Sequence, residues 1–120
     1  MTIKNVKQTL MSTSFPNIIH TGWGVKRGST VKNWKRRWFV LLSNGLLRYF
    51  TDKLAIEEQG HVIIDAQTNI FTSPAITEGN PVQIVNKKRL FLVTFPTHDE
   101  AEKWKDILNA LKSDLFSPQQ

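Results

Sequence analysis

The 120 residues contain no cysteine, which excludes disulfides and thiolate metal sites and is compatible with a reducing compartment. Histidine is scarce: His20, His61 and His98 stand apart without ligand spacing, so no metal site is expected. Long apolar runs are missing as well. The longest, Trp38 to Leu42, has five residues, far short of a bilayer span. The N-terminal stretch MTIKNVKQTLMSTSFPNIIH lacks a sustained apolar region followed by small residues, which makes it a poor secretory signal. A soluble, cytoplasmic protein is the expectation. There is no Ser-His-Asp or Cys-His set, no paired carboxylates in a pocket-forming context and no Gly-rich phosphate loop ahead of a helix. Neither enzymatic activity nor a cofactor is expected.

Acidic residues are absent from the first part of the chain. Residues 1–51 carry nine Lys/Arg and no Asp/Glu, a charge of +9, whereas residues 52–120 carry seven basic and ten acidic side chains, a charge of −3. Six of the cations fall between Lys26 and Arg37, in the stretch VKRGSTVKNWKRRWFVLL. Such polarity favours an anionic partner: a lipid headgroup, a nucleic acid or an acidic protein. With 40% hydrophobic and 22% charged residues, the chain as a whole reads as one globular domain with a modest core.

Residues 1–17 lack clear periodicity and close on Pro16, and they read as a mobile extension. The folded domain is expected over 18–116, with 117–120 as a tail. Seven short strands are predicted, from HTGWGVKRG, NWKRRWFVLLS, LLRYFTD, GHVIIDA, NIFTS, PVQIVN and RLFLVTF, with SNG and NKKR as turns. Their spacing is that of an antiparallel sandwich or barrel. In THDEAEKWKDILNALKSDLF, Ala101, Trp104, Leu108, Leu111 and Leu115 recur at three- and four-residue steps, predicting an amphipathic helix over the sheet. Thr97 and Glu100 fit a capping box; Asp99, Glu100 and Glu102 suit the first turn, Lys112 the last, and Pro118 the end.

Period-two alternation sorts the cations. Lys35, Arg37, Phe39 and Leu41 share one face of a strand, and Trp34, Arg36, Trp38 and Val40 share the other. If Phe39 and Leu41 enter the core, Lys35 and Arg37 sit on the same inward face nearer the strand's start, lining the mouth of the barrel. The preceding loop has Gly28, Ser29 and Thr30, whose backbone N–H groups suit an anion, with Lys26 and Lys32 as further cations. Several cations and backbone donors together fit a ligand bearing several phosphates. Single-stranded nucleic acid fits less well, because the cations gather at one loop–strand junction instead of tracking a backbone.

The stretch GWGVKRGSTVKNWKRRWFVLLSNGLLRYF, with the terminal helix and its Trp104, resembles a pleckstrin homology (PH) domain over about residues 20–113. Lys26, eight intervening residues, then Lys35, Arg36, Arg37, Trp38, Phe39 and Val40 match the pattern of the 3-phosphoinositide-binding type. The resemblance implies a seven-stranded, helix-capped barrel that binds phosphatidylinositol 3,4,5-trisphosphate or the 3,4-bisphosphate at the inner plasma-membrane leaflet. It implies that Lys26 and Arg37 contact the 3-phosphate, that Lys35 and Arg37 bracket the ring, and that Tyr49 donates to the 4-phosphate. Lys32 would approach the 5-phosphate or the membrane, and Lys87 and Lys88 would be accessory. From its place at the tip of the basic loop, Val31 is expected to contact the membrane, with Arg27 as a further accessory cation. A monomer is expected. The alternative is a PH-like protein-interaction domain with weak lipid binding. Gly24 stands where the family usually has a larger apolar residue, which predicts looser packing there.

Overall fold

Alternating β-branched and aromatic residues set most of the architecture, and the computed structural model describes residues 16–28, 33–74, 76, 78–87 and 89–117. All seven expected strands form: β1 (Ile18–Arg27), β2 (Trp34–Leu42), β3 (Leu46–Phe50), β4 (Glu58–Ile63), β5 (Asn69–Phe71), β6 (Pro81–Asn86) and β7 (Arg89–Thr94). They make one antiparallel sheet in the order β4-β3-β2-β1-β7-β6-β5. β1 pairs with β2 over its whole length but with β7 only at Val25–Thr94 and Lys26–Val93. The sheet bends at that corner, so Phe39, Leu41, Leu47 and Val62 share a core with Ile70, Val82, Ile84 and Val93 from the other half.

Helix α1 (His98–Phe116) packs over β5 and β6. Its stripe buries Ala101, Trp104, Leu108 and Leu111. Trp104 is fully buried, stacked on Phe95 at 5.3 Å and edge-on to Phe39 at 6.4 Å. Truncating so large a buried ring costs about 3–5 kcal/mol. Leu115 departs from the expected stripe: it is 39% exposed, because the last turn reaches beyond the core to lie beside Gly45. The helix also runs far enough past Lys112 that its last turn holds no basic residue.

At the other end, Thr97 Oγ1 accepts a hydrogen bond from the Glu100 N–H at 3.0 Å, so one half of the capping box forms. The Glu100 carboxylate turns toward His20, 3.8 Å away, instead of closing the other half.

A close approach at Gly24 corrects the expectation of loose packing. A Cβ there would lie 2.8 Å from Val93 Cγ2, 3.0 Å from Phe39 Cε1 and 3.1 Å from Phe95 Cε1. The site is tight: neighbours fill the volume that a larger residue would occupy.

Candidate ligand-binding mouth

In an antiparallel sheet of this order, the β1–β2, β3–β4 and β6–β7 connections all lie at one end. The inward row of β1 ends there with Gly22, Gly24 and Lys26, which pair with Phe39, Arg37 and Lys35 of β2. Phe39 and Leu41 are fully buried, so Lys35 and Arg37 continue an inward face toward the open end, as alternation requires.

Beneath them lies an aromatic floor. Tyr49 and Phe91 meet at 5.6 Å, and the Lys26 ammonium sits 4.9 Å from the Tyr49 ring and 5.8 Å from Phe91. Arg89 reaches the same place, its guanidinium 5.1 Å from Phe91. It donates to the His61 carbonyl at 2.9 Å and to the Tyr49 hydroxyl at 3.5 Å. Ring quadrupoles hold such cations where they would otherwise repel one another. Among the described residues, none of the ion pairs involves Lys26, Lys35, Arg37 or Arg89.

Gly60 makes the Tyr49 position possible. It pairs with Tyr49 across β3 and β4, and a Cβ on it would overlap the phenol, lying 2.5 Å from Cζ. The hydroxyl end of the ring therefore lies over the bare backbone of β4, within reach of Arg89. A register shift between Tyr49 and Phe50 leaves Gln59, just before Gly60, as the extra residue of β4 and bends the strand at this point.

The opposite face of the same strands uses its cations differently. The outward pairs are Trp23–Trp38, Val25–Arg36 and Arg27–Trp34. Arg36 lies 3.6 Å over Trp23, Lys53 is 5.6 Å from Trp38, and Arg48 is 5.0 Å from Phe50. Arg48 also binds Glu58 at 2.6 Å, and that contact above all holds the Glu58 carboxyl below its usual range. Thus the crowded charges divide between two faces: Arg27 and Arg36 point outward, Arg36 over the Trp23 ring, while Lys26, Lys35 and Arg37 face the mouth.

Of the sequence-predicted site residues, Lys26, Lys35, Arg37 and Tyr49 share the inward side. Arg37 is half-buried and donates to the Arg36 carbonyl at 3.0 Å. Arg27 falls on the outward face opposite Trp34, away from that group. Lys87 is exposed in the β6–β7 connection. Lys32, Val31 and Lys88 lie outside the described residues, as do Ser29 and Thr30 of the expected anion-binding loop. Gly28 is described, and its N–H is already donated to the Asn33 carbonyl at 2.8 Å. Arg89 is the residue that sequence reasoning missed. The signal was available: Arg89, Phe91 and Val93 alternate, so the parity argument applied to β2 puts Arg89 at the mouth too.

A family model described as "PH domain" matches residues 18–113. The chain is 30% identical over 91 residues to a RAC family serine/threonine-protein kinase homolog of Dictyostelium discoideum, covering 76% of this chain and 20% of the relative. It is 31% identical over 93 residues to pleckstrin-2 of Mus musculus, covering 72% of this chain and 26% of the relative. The chain thus spans about a fifth to a quarter of the length of these curated relatives. Among solved structures, the C-terminal PH domain of pleckstrin in complex with D-myo-Ins(1,2,3,4,5)P5 aligns with a TM-score of 0.69 at 21% identity, covering 80% of this chain and 99% of that one.

Proposed function

This chain belongs to the pleckstrin homology (PH) domain family, and from that premise we propose that its mouth recognises the headgroup of a 3-phosphorylated inositol lipid and so recruits the protein to the inner face of the plasma membrane. The ligands are phosphatidylinositol 3,4,5-trisphosphate and the 3,4-bisphosphate. The observation carrying this reading is the convergence of Lys26 and Arg89 on the Tyr49–Phe91 floor, below Lys35 and Arg37 on the same inward row. Lys26 supplies a point charge to the 3-phosphate, and Arg37 offers the rest of its fork to that phosphate and the ring. Arg89 donates to the Tyr49 oxygen, which leaves the phenolic proton for the 4-phosphate. Lys35 closes the other side of the ring. Lys32 near the 5-phosphate or the membrane, with Lys87 and Lys88 as accessory cations, rests on sequence resemblance; Val31 at the membrane, with Arg27 reaching headgroups from the outward face, rests on their place around the basic loop.

Two attractions act in sequence. The acid-free first 51 residues draw the protein to anionic lipid at about 1 kcal/mol per cation near the surface, a salt-sensitive term without headgroup choice. The convergent hydrogen bonds then select the headgroup. The neighbouring pleckstrin domain, solved with an inositol pentakisphosphate, supports a phosphate-rich ring as the ligand class. Isothermal titration with a panel of inositol phosphates tests the reading. Inositol 1,3,4,5-tetrakisphosphate should bind, and Arg37→Ala should weaken it by about 10- to 100-fold, the value of a hydrogen bond between charged groups. Indifference to Arg37→Ala, or equal binding to phosphatidylserine alone, overturns it.

One observation favours a second reading, a protein-interaction domain. A groove of about 370 Å³ opens on the outer face, lined by Trp23, Val25, Arg36, Thr94, Phe95 and Pro96. If it is the working surface, neutral replacement of Lys35 and Arg37 leaves cellular targeting intact.

A further inference from the structure

The two most exposed large hydrophobic side chains among the described residues are Ile56, 82% exposed, and Leu54, 74% exposed. Both lie in the β3–β4 connection, and the sheet order puts that connection at the same end as Lys26, Lys35 and Arg37. Their exposure follows from a defined backbone. Asp52 accepts the Leu54 N–H on Oδ1 at 3.0 Å and the Ala55 N–H on its carbonyl at 3.2 Å. Ala55 then takes φ +52°, a left-handed conformation uncommon for a residue with a Cβ. The chain turns on Ala55 with Leu54 before it and Ile56 after it, both turned to solvent.

We infer that the β3–β4 turn is a membrane wedge: Leu54 and Ile56 enter the interfacial layer of an anionic bilayer while the mouth engages the headgroup. The inference rests on the membrane half of the reading above. Three features favour a bilayer over a protein partner. Lys53 directly precedes Leu54, so an apolar tip is flanked by a cation that can stay at headgroup level. The acid nearest the sheet, Glu58, is offset by Arg48 and hydrogen-bonded to His61, while Asp52 holds the turn through the Leu54 N–H. Glu57 is exposed at the loop's far end, on the approach to β4. Trp34, 44% exposed where β2 begins, adds an indole at the same end, and indoles favour the membrane–water interface.

The test uses the full chain, Leu54→Ser/Ile56→Ser, and vesicles of phosphatidylcholine and phosphatidylserine with or without phosphatidylinositol 3,4,5-trisphosphate. Because both side chains are exposed, the double variant should melt with the parent. Its vesicle affinity should fall by about tenfold or more, since two aliphatic side chains no longer leave water. Titration with soluble inositol 1,3,4,5-tetrakisphosphate should be unchanged. The chain has no cysteine, so Ile56→Cys gives a unique position for an environment-sensitive dye, whose emission should shift to the blue on vesicles. Vesicle binding unaffected by the double substitution, or a dye that stays in water on bound protein, overturns the inference, whether or not a protein partner uses the loop. A parent that ignores the soluble headgroup yet loses vesicle binding in the double variant sinks the headgroup reading and leaves the wedge standing. A parent that binds no vesicle overturns both.

Discussion

Gly24→Ala adds a single methyl group where three core side chains already converge. The nearest, Val93 Cγ2, would be 2.8 Å from the new carbon, with Phe39 and Phe95 at 3.0 and 3.1 Å. Two effects compete. Alanine restricts the unfolded chain and suits a strand better than glycine, a gain of about 0.5–1 kcal/mol. Overpacking a closed core costs about 1–3 kcal/mol, because the neighbours must leave their rotamers or the backbone must shift. Here the displaced atoms are branched or aromatic side chains in the interior, so the cost should win by about 1 kcal/mol or somewhat more. For a domain of this size that lowers Tm by about 4–7 °C. The sharper measurement is a double-mutant cycle by urea denaturation. Val93→Ala alone is destabilising through the cavity it leaves, but in the Gly24→Ala background it also removes the colliding methyl. The pair should cost less than the sum of the single variants by about 1 kcal/mol. A Gly24→Ala protein that is more stable than the parent, or a strictly additive pair, refutes the close-packing argument.

Three further outcomes are expected. Gly60→Ala should push the Tyr49 phenol off β4 and away from Arg89, weakening inositol phosphate binding by titration; unchanged affinity with a folded protein would show that the phenol is not part of the site. Thr97→Ala should cost about 1 kcal/mol in urea melts through the lost N-cap, and Thr97→Ser should restore most of it. Burial chiefly, with Lys103 adding to it and Glu100 opposing, pushes the His20 pKa down, so the unfolded chain binds more protons just below the ordinary value of about 6.5. Stability should therefore decline as pH falls from that value through the native one, and His20→Gln should flatten this part of the profile. An NMR titration placing His20 above the ordinary value would reverse the sign, and one placing it at that value would remove the dependence.

Strands, helix and cap were legible because each is written locally. A period of two in WKRRWFVLL, the stripe from Ala101 to Leu111, and a threonine three residues ahead of Glu100 each act within a single element. That Lys35 and Arg37 share a face with Phe39 followed from the same alternation, and parity also held the answer for Arg89. No local pattern tells that Arg89 meets Tyr49, forty residues earlier in the chain, because that depends on how far β7 is carried round the bend at β1. Nor does it tell that Gly60 gives the phenol its bed, or that Val93, Phe39 and Phe95 fill the space at Gly24. Leu115 fits the helical stripe yet finds incomplete cover, for burial depends on what lies opposite and not on period. The sequence by itself determined which side chains alternate, where the helix begins and that the cations are concentrated. Only the tertiary structure decided which of them meet, since register and packing between distant strands fix a shared mouth that no short-range pattern encodes.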